Sequence, residues 1–167
     1  MNRNLAHMLT HSEGRYFSEL EEEQLRGYAA GLQQRLEILD AAERAEDALL
    51  AEMDRFMREK FPEMATEHGE DSYDRAKRDY AMAYRYASLA TLMRDPDFVN
   101  EKLAVWLRSI LFALTNRERT LTCFEHFLGL VERTLPDPDA AELVPHLEVV
   151  VEEMRRALGR PSERKAA

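Results

Sequence analysis

Between Asp71 and Asp95 the chain reads DSYDRAKRDYAMAYRYASLATLMRD, about six turns of helix. Apolar and aromatic residues, from Tyr73, Ala76 and Tyr80 through Tyr84 and Ala87 to Leu92 and Met93, cover most of its circumference. A helix with so little polar surface is stable only with other helices against several of its sides, so it predicts a bundle built around it. Arg75, Lys77, Arg78 and Asp79 cluster near its start, and Arg85 follows about two turns later. Those charges either pair within the protein surface or face a polar ligand.

The flanking sequence is helical in the same way. Ser18 to Glu21 forms a capping-box pattern, so a helix is expected from about Glu19. Leu25, Tyr28, Leu32, Leu36 and Leu39 then recur at helical steps and predict one buried face. Gly27 and Gly31 weaken that stretch, and the chain onward to Phe61-Pro62 is either two helices meeting near residues 40–44 or one long helix. Residues 63–70 read as a polar loop. Asp95-Pro96 predicts a new helix start, followed by a broad apolar face from Phe98 through Trp106 to Leu114. Thr115 or Asn116 caps the next helix, with Leu121, Phe124, Phe127 and Val131 inward. After Pro136-Asp137-Pro138 comes a last helix with Leu143, Leu147, Val150 and Met154 inward, and Pro145 predicts a kink or a late start in it. No β alternation appears. The expectation is an all-α single domain over residues 1–160, a bundle or a globin-like fold, with a frayed tail at 161–167.

Composition narrows the function. A formal net charge of −9 argues against nonspecific binding to nucleic acid. No stretch reaches the roughly 18 apolar residues of a membrane span, and the N-terminal residues lack the apolar core of a secretory signal. With a single cysteine, the chain is expected in a reducing compartment, the cytoplasm. A short helical candidate runs from Asn4 to Leu9; His7 and His11 would stand one turn apart on a helix, and Cys123 and His126 are three apart on a later one, but neither pair has further ligands or a partner base. No spacing suggests catalysis, and the protein is expected not to be an enzyme.

Several ordered motifs bear a family resemblance. Gly14-Arg15-Tyr16-Phe17-Ser18, Arg35-Leu36, Phe61-Pro62, Arg78-Asp79, Arg85, Asp95, Arg108 and Leu114 fall at spacings similar to those of the phycobiliproteins, the globin-fold light-harvesting proteins of the allophycocyanin and phycocyanin type. The resemblance covers about Ser12 to Leu158. It implies a globin-like domain with an N-terminal helical extension, residues 1–35, used for homo- or heterodimerisation. It also implies that Asp79 would bond the pyrrole nitrogens of a linear tetrapyrrole and that Arg78 would pair with a propionate, with Tyr84 beside them. Arg78 and Asp79 are adjacent, however, and point about 100° apart on a helix.

The chain departs from the family where it matters most. The family's attachment cysteine falls at Ala76, which has no thiol, so a bilin cannot be held covalently there. The family's partner contact, an aspartate pairing with the arginine at Arg85, falls at His11, so the dimer contact, which would involve His11, Tyr16 and Arg85, is altered. Two expectations follow: a divergent subunit binding a bilin non-covalently through Arg78, Asp79 and Tyr84, or a chromophore-free structural or regulatory subunit. A haem-binding or sensor globin is the alternative from another class. It would need a proximal histidine, and the chain has none between His68 and His126.

Overall fold

A computed structural model describes residues 3–104 and 116–159, and among these every regular element is helical. The helices are α1 (Arg3–His11), α2 (Glu19–Ala30), α3 (Leu32–Lys60), α4 (Glu63–His68), α5 (Ser72–Met93), α6 (Asp97–Val99), α7 (Arg117–Thr134) and α8 (Asp137–Ala157). A π-helical turn over Asn100–Ala104 follows α6. The helix face expected around Trp106, Arg108 and Leu114, and the cap expected at Thr115, lie outside the described residues.

α5 is the central helix. It packs along α3 on one side and against α8 on another, with α4 and α6 at its two ends. Tyr73, Tyr80, Ala83, Tyr84, Ala87 and Ala90 are all buried on it. The alanines let neighbouring helices come close, and the tyrosine rings fill the remaining space. Tyr80 meets Phe124 of α7 with ring centroids 4.8 Å apart at 64°, and Tyr84 meets Phe127 at 6.1 Å and 73°. Both are edge-to-face arrangements, which aromatic quadrupoles favour. Arg94 ends the helix in the left-handed region at φ 50°, and its N–H donates back to Thr91 over 3.1 Å. The Asp95 carboxylate then accepts the Asp97 N–H at 3.3 Å, although the residue that caps α6 is Pro96 rather than Asp95.

Two local expectations are altered, and two open alternatives are decided. The break in the N-terminal half falls at Gly31, and the chain beyond it is the one long helix, α3, of 29 residues, with no junction near 40–44. Residues 63–68 are a helix rather than a loop. Met64 gives α4 a buried anchor, and Arg119 of α7 holds Glu63 at 3.4 Å and Glu67 at 3.0 Å. The last helix begins at Asp137, ahead of Pro145, so the start is not late.

The second change has the larger consequence. At the start of α3 the buried face is Arg35, Ile38 and Ala42, while Leu32 and Leu36 point outward. Arg35 reaches the interior because its charge is met there. Its Nε donates to the Leu92 carbonyl at 2.9 Å, an Nη donates to the Tyr28 carbonyl at 2.8 Å, and the guanidinium lies 4.7 Å from the Tyr28 ring centre. These bonds replace the water lost on burial.

Candidate functional site

α3 and α5 run side by side and leave an open groove of about 950 Å³ between them. Asp47, Leu50 and Ala51 line it from α3, and residues from Asp74 to Leu89 line it from α5, among them Lys77, Arg78, Met82, Arg85 and Tyr86. Helical periodicity accounts for the set. Arg78, Met82, Arg85 and Leu89 recur at four- and three-residue steps and share one side of α5. Tyr80, Ala83, Tyr84 and Ala87 occupy the side turned to the core.

Most charges of the groove are matched within the chain. Arg85 forms a two-pronged contact with Glu46 of α3, at 2.5 and 3.0 Å. Lys77 lies 2.9 Å from Asp74 and 3.4 Å from Asp54, and Arg58 holds the other oxygen of Asp54 at 2.8 Å. These cations hold Asp54 below its ordinary carboxylate range, with the Arg58 hydrogen bond as the largest cause. Arg78 differs: it makes no hydrogen bond or ion pair among the described residues, and its near charge is the adjacent Asp79.

The three residues that the resemblance assigns to a pigment are not brought together. Arg78 lines the groove, while Asp79 and Tyr84 do not. Asp79 is an exposed residue on another side of α5, yet crowding raises its carboxyl above the usual value, with Arg78 opposing. Tyr84 is 1% exposed, and its hydroxyl has no hydrogen-bond partner. Burial and the nearby Glu46 carboxylate raise its pKa. Ala76 is packed against the core. The residues present therefore do not fit the family's covalent chromophore: there is no thiol at the attachment position, and the polar groups around it diverge.

Cys123 offers no substitute. It is buried, and burial pushes its thiol up to about 11, so the nucleophilic thiolate is scarce at neutral pH. His126 stacks on Phe56 with centroids 3.7 Å apart at 4°, and burial lowers its pKa. His7 and His11 stack on each other at 3.7 Å, and His11 Nδ1 lies 2.9 Å from the His7 carbonyl oxygen. No group of three or more metal-ligating side chains occurs among the described residues.

The N-terminal segment presents a second surface. The α2 cap forms as the sequence predicts: Ser18 N–H and Oγ both donate to Glu21, and Arg15 clamps the same carboxylate at 2.6 and 2.8 Å. These bonds, led by Arg15, hold Glu21 at about 2. None of the residues of α2 is buried. Tyr16 is 98% exposed and Leu20 64%. Of the residues expected at a partner contact, His11 and Tyr16 are free-facing, whereas Arg85 is already held by Glu46. Sequence reading missed Glu46 because its role depends on the register of α3 against α5, which brings together two residues 39 positions apart. It also missed that Arg35, seen only as part of a motif, is a buried strut.

The sequence model of the family described as Phycobilisome protein matches residues 10–154. The chain belongs to that family, and its all-helical structure is the globin-like fold of the phycobiliprotein type. No curated protein matches it. Among the described residues, no helix is long and apolar enough to cross a membrane.

Proposed function

We propose that this chain is a cytoplasmic subunit of phycobiliprotein type that acts through assembly rather than through a bound pigment. On this reading it pairs with another chain, identical or different, through its N-terminal helices. The observation that carries it is α2, twelve residues of which none is buried, beginning beside the exposed Tyr16 and Leu20. Leu20 is exposed at the start of this helix while Leu25 and Tyr28 further along are half-buried, and a partner that covers Leu20 and Tyr16 removes their apolar surface from water. The divergence of Arg78, Asp79 and Tyr84 and the absence of a thiol at Ala76 support the same reading from the pigment side.

A non-covalent linear tetrapyrrole is the competing reading. The guanidinium of Arg78, unengaged at the edge of an apolar groove, favours it, because such a cation pairs well with a propionate. Titration of the full chain with a linear bilin, read by visible absorbance and repeated with Arg78→Ala and Asp79→Ala, separates the two. The assembly reading predicts no saturable red shift. A saturable red-shifted band lost in both variants would replace it with the pigment reading.

A further inference from the structure

We propose that His7 and His11 of α1 form a two-imidazole clip for a divalent transition-metal ion on the outer side of that helix, with water completing the ion's coordination. Neither residue lines the α3–α5 groove, and the site does not depend on the assembly reading.

The helix sets the spacing. Side chains four positions apart stand one above the other on a helix, and here the two rings meet face to face with centroids 3.7 Å apart at 20°. It is the same step at which the two histidines of an H-E-x-x-H helix hold zinc. α1 is anchored from its other side. Leu5, Met8 and Ser12 are buried at steps of three and four residues, and Arg3 lies 2.5 Å from Glu101 and 3.9 Å from Asp95. His7 and His11 are exposed, so an ion reaches them from water while the backbone beneath them is held.

The His11 ring is already in the form that binds a metal. Its Nδ1 lies 2.9 Å from the His7 carbonyl oxygen. A carbonyl oxygen only accepts, so Nδ1 carries the hydrogen and donates it, and the lone pair of the neutral ring stands on Nε2. Metal-ligating histidines share this arrangement: one ring nitrogen donates to a carbonyl or carboxylate, and the other faces the ion. Neither Nε2 makes a hydrogen bond or ion pair among the described residues. Turning the rings out of their stack points both Nε2 atoms at one ion, at the usual zinc–nitrogen distance of about 2.0–2.1 Å.

The donors select the class of ion. Two imidazoles without a third protein ligand suit zinc, copper or nickel, whereas calcium and magnesium seek oxygen donors. His11 is the last residue of α1, where the carbonyls of the final turn form the negative end of the helix dipole and favour a cation. Once one imidazole holds the ion, the second meets it as an intramolecular ligand at high effective concentration, so the pair binds more tightly than either ring alone.

The test is a zinc titration of the full chain in neutral buffer, read by NMR through the ring resonances of each histidine. It is run on the wild type, His7→Ala, His11→Ala, and His11→Ala combined with Leu9→His. The combined variant keeps two histidines in α1 but sets them two positions apart, about 200° round the helix. Leu9 is exposed, and far-ultraviolet circular dichroism checks that every variant keeps its helices. The His7 and His11 signals of the wild type are expected to shift together and saturate with a dissociation constant at or below about 0.5 mM. Each variant is expected to lose at least about fivefold in affinity, and zinc is expected to slow exchange of the α1 amides only in the wild type. Saturation only above that concentration, or no shift of either ring, would overturn the site. A smaller loss in any variant would overturn the clip and leave two imidazoles that bind independently.

Discussion

α7 and α2 are both amphipathic by sequence, and the structure treats them in opposite ways. Leu121, Phe124, Phe127 and Val131 of α7 are buried in the core, whereas no residue of α2 is fully buried and Leu20 stands in the open. Periodicity identifies that a helix has an apolar face; it does not say what covers that face. For α7 the cover is in the same chain. For α2 the cover proposed is a partner chain.

Truncating the α7 face should cost the most. Phe127, 1% exposed, touches both Tyr80 and Tyr84. Phe127→Ala is expected to lower unfolding free energy by about 3–5 kcal/mol in urea denaturation, the range for an aromatic side chain removed from a packed core. A loss under about 1 kcal/mol would mean that this face is not the core.

Acid should come next. Burial lowers the pKa of His146 below 6.5, with Glu142 and Asp95 opposing. The unfolded chain therefore binds more protons than the folded one in the window below about pH 6.5. The stability tied to neutral His146 is fully present above that pH and is lost as pH falls through the lower folded value. His146→Gln should flatten this part of the stability profile, and an unchanged slope would assign it to other groups.

Tyr84→Phe sharpens the comparison from the pigment side. The Tyr84 hydroxyl is buried without a partner, so its removal should leave stability unchanged or raise it by up to about 1 kcal/mol. A loss above about 1.5 kcal/mol, the range for a hydrogen bond to a charged group, would show that the hydroxyl is bonded in solution, with Glu46 as the nearest candidate.

The smallest effect on folding belongs to α2. Leu20→Ser should change the stability of the monomer by less than about 0.5 kcal/mol, as expected at an exposed site, while weakening association. The pairing of a silent folding phenotype with a lost dimer is what separates α2 from α7. A large folding defect would place Leu20 in a core of its own chain.

Much of this fold could be read from local patterns. The Ser18 cap, the stop at Phe61-Pro62, the span of α5 and the inward faces of α7 and α8 all depend on residues a few positions apart, and all appear as expected. The face of α3 was misread because hydrophobicity alone favours Leu32 and Leu36 over Arg35. Only the carbonyls of Tyr28 and Leu92, brought in by tertiary packing, make a buried arginine favourable. The candidate site divides similarly. Arg78 stands out in sequence as a charge on an apolar helix and lines the groove. Asp79 and Tyr84 diverge from it by the rotation of the helix, and the capture of Arg85 by Glu46 requires the register of α3 against α5.

The most direct measurement is amide hydrogen exchange of the full chain at low and high protein concentration, compared between α2 and α7. The account predicts that α2 amides slow by about tenfold or more as concentration rises through the dimer range, while α7 amides remain equally protected throughout. Exchange in α2 that is the same at every concentration would contradict pairing of identical chains through this helix.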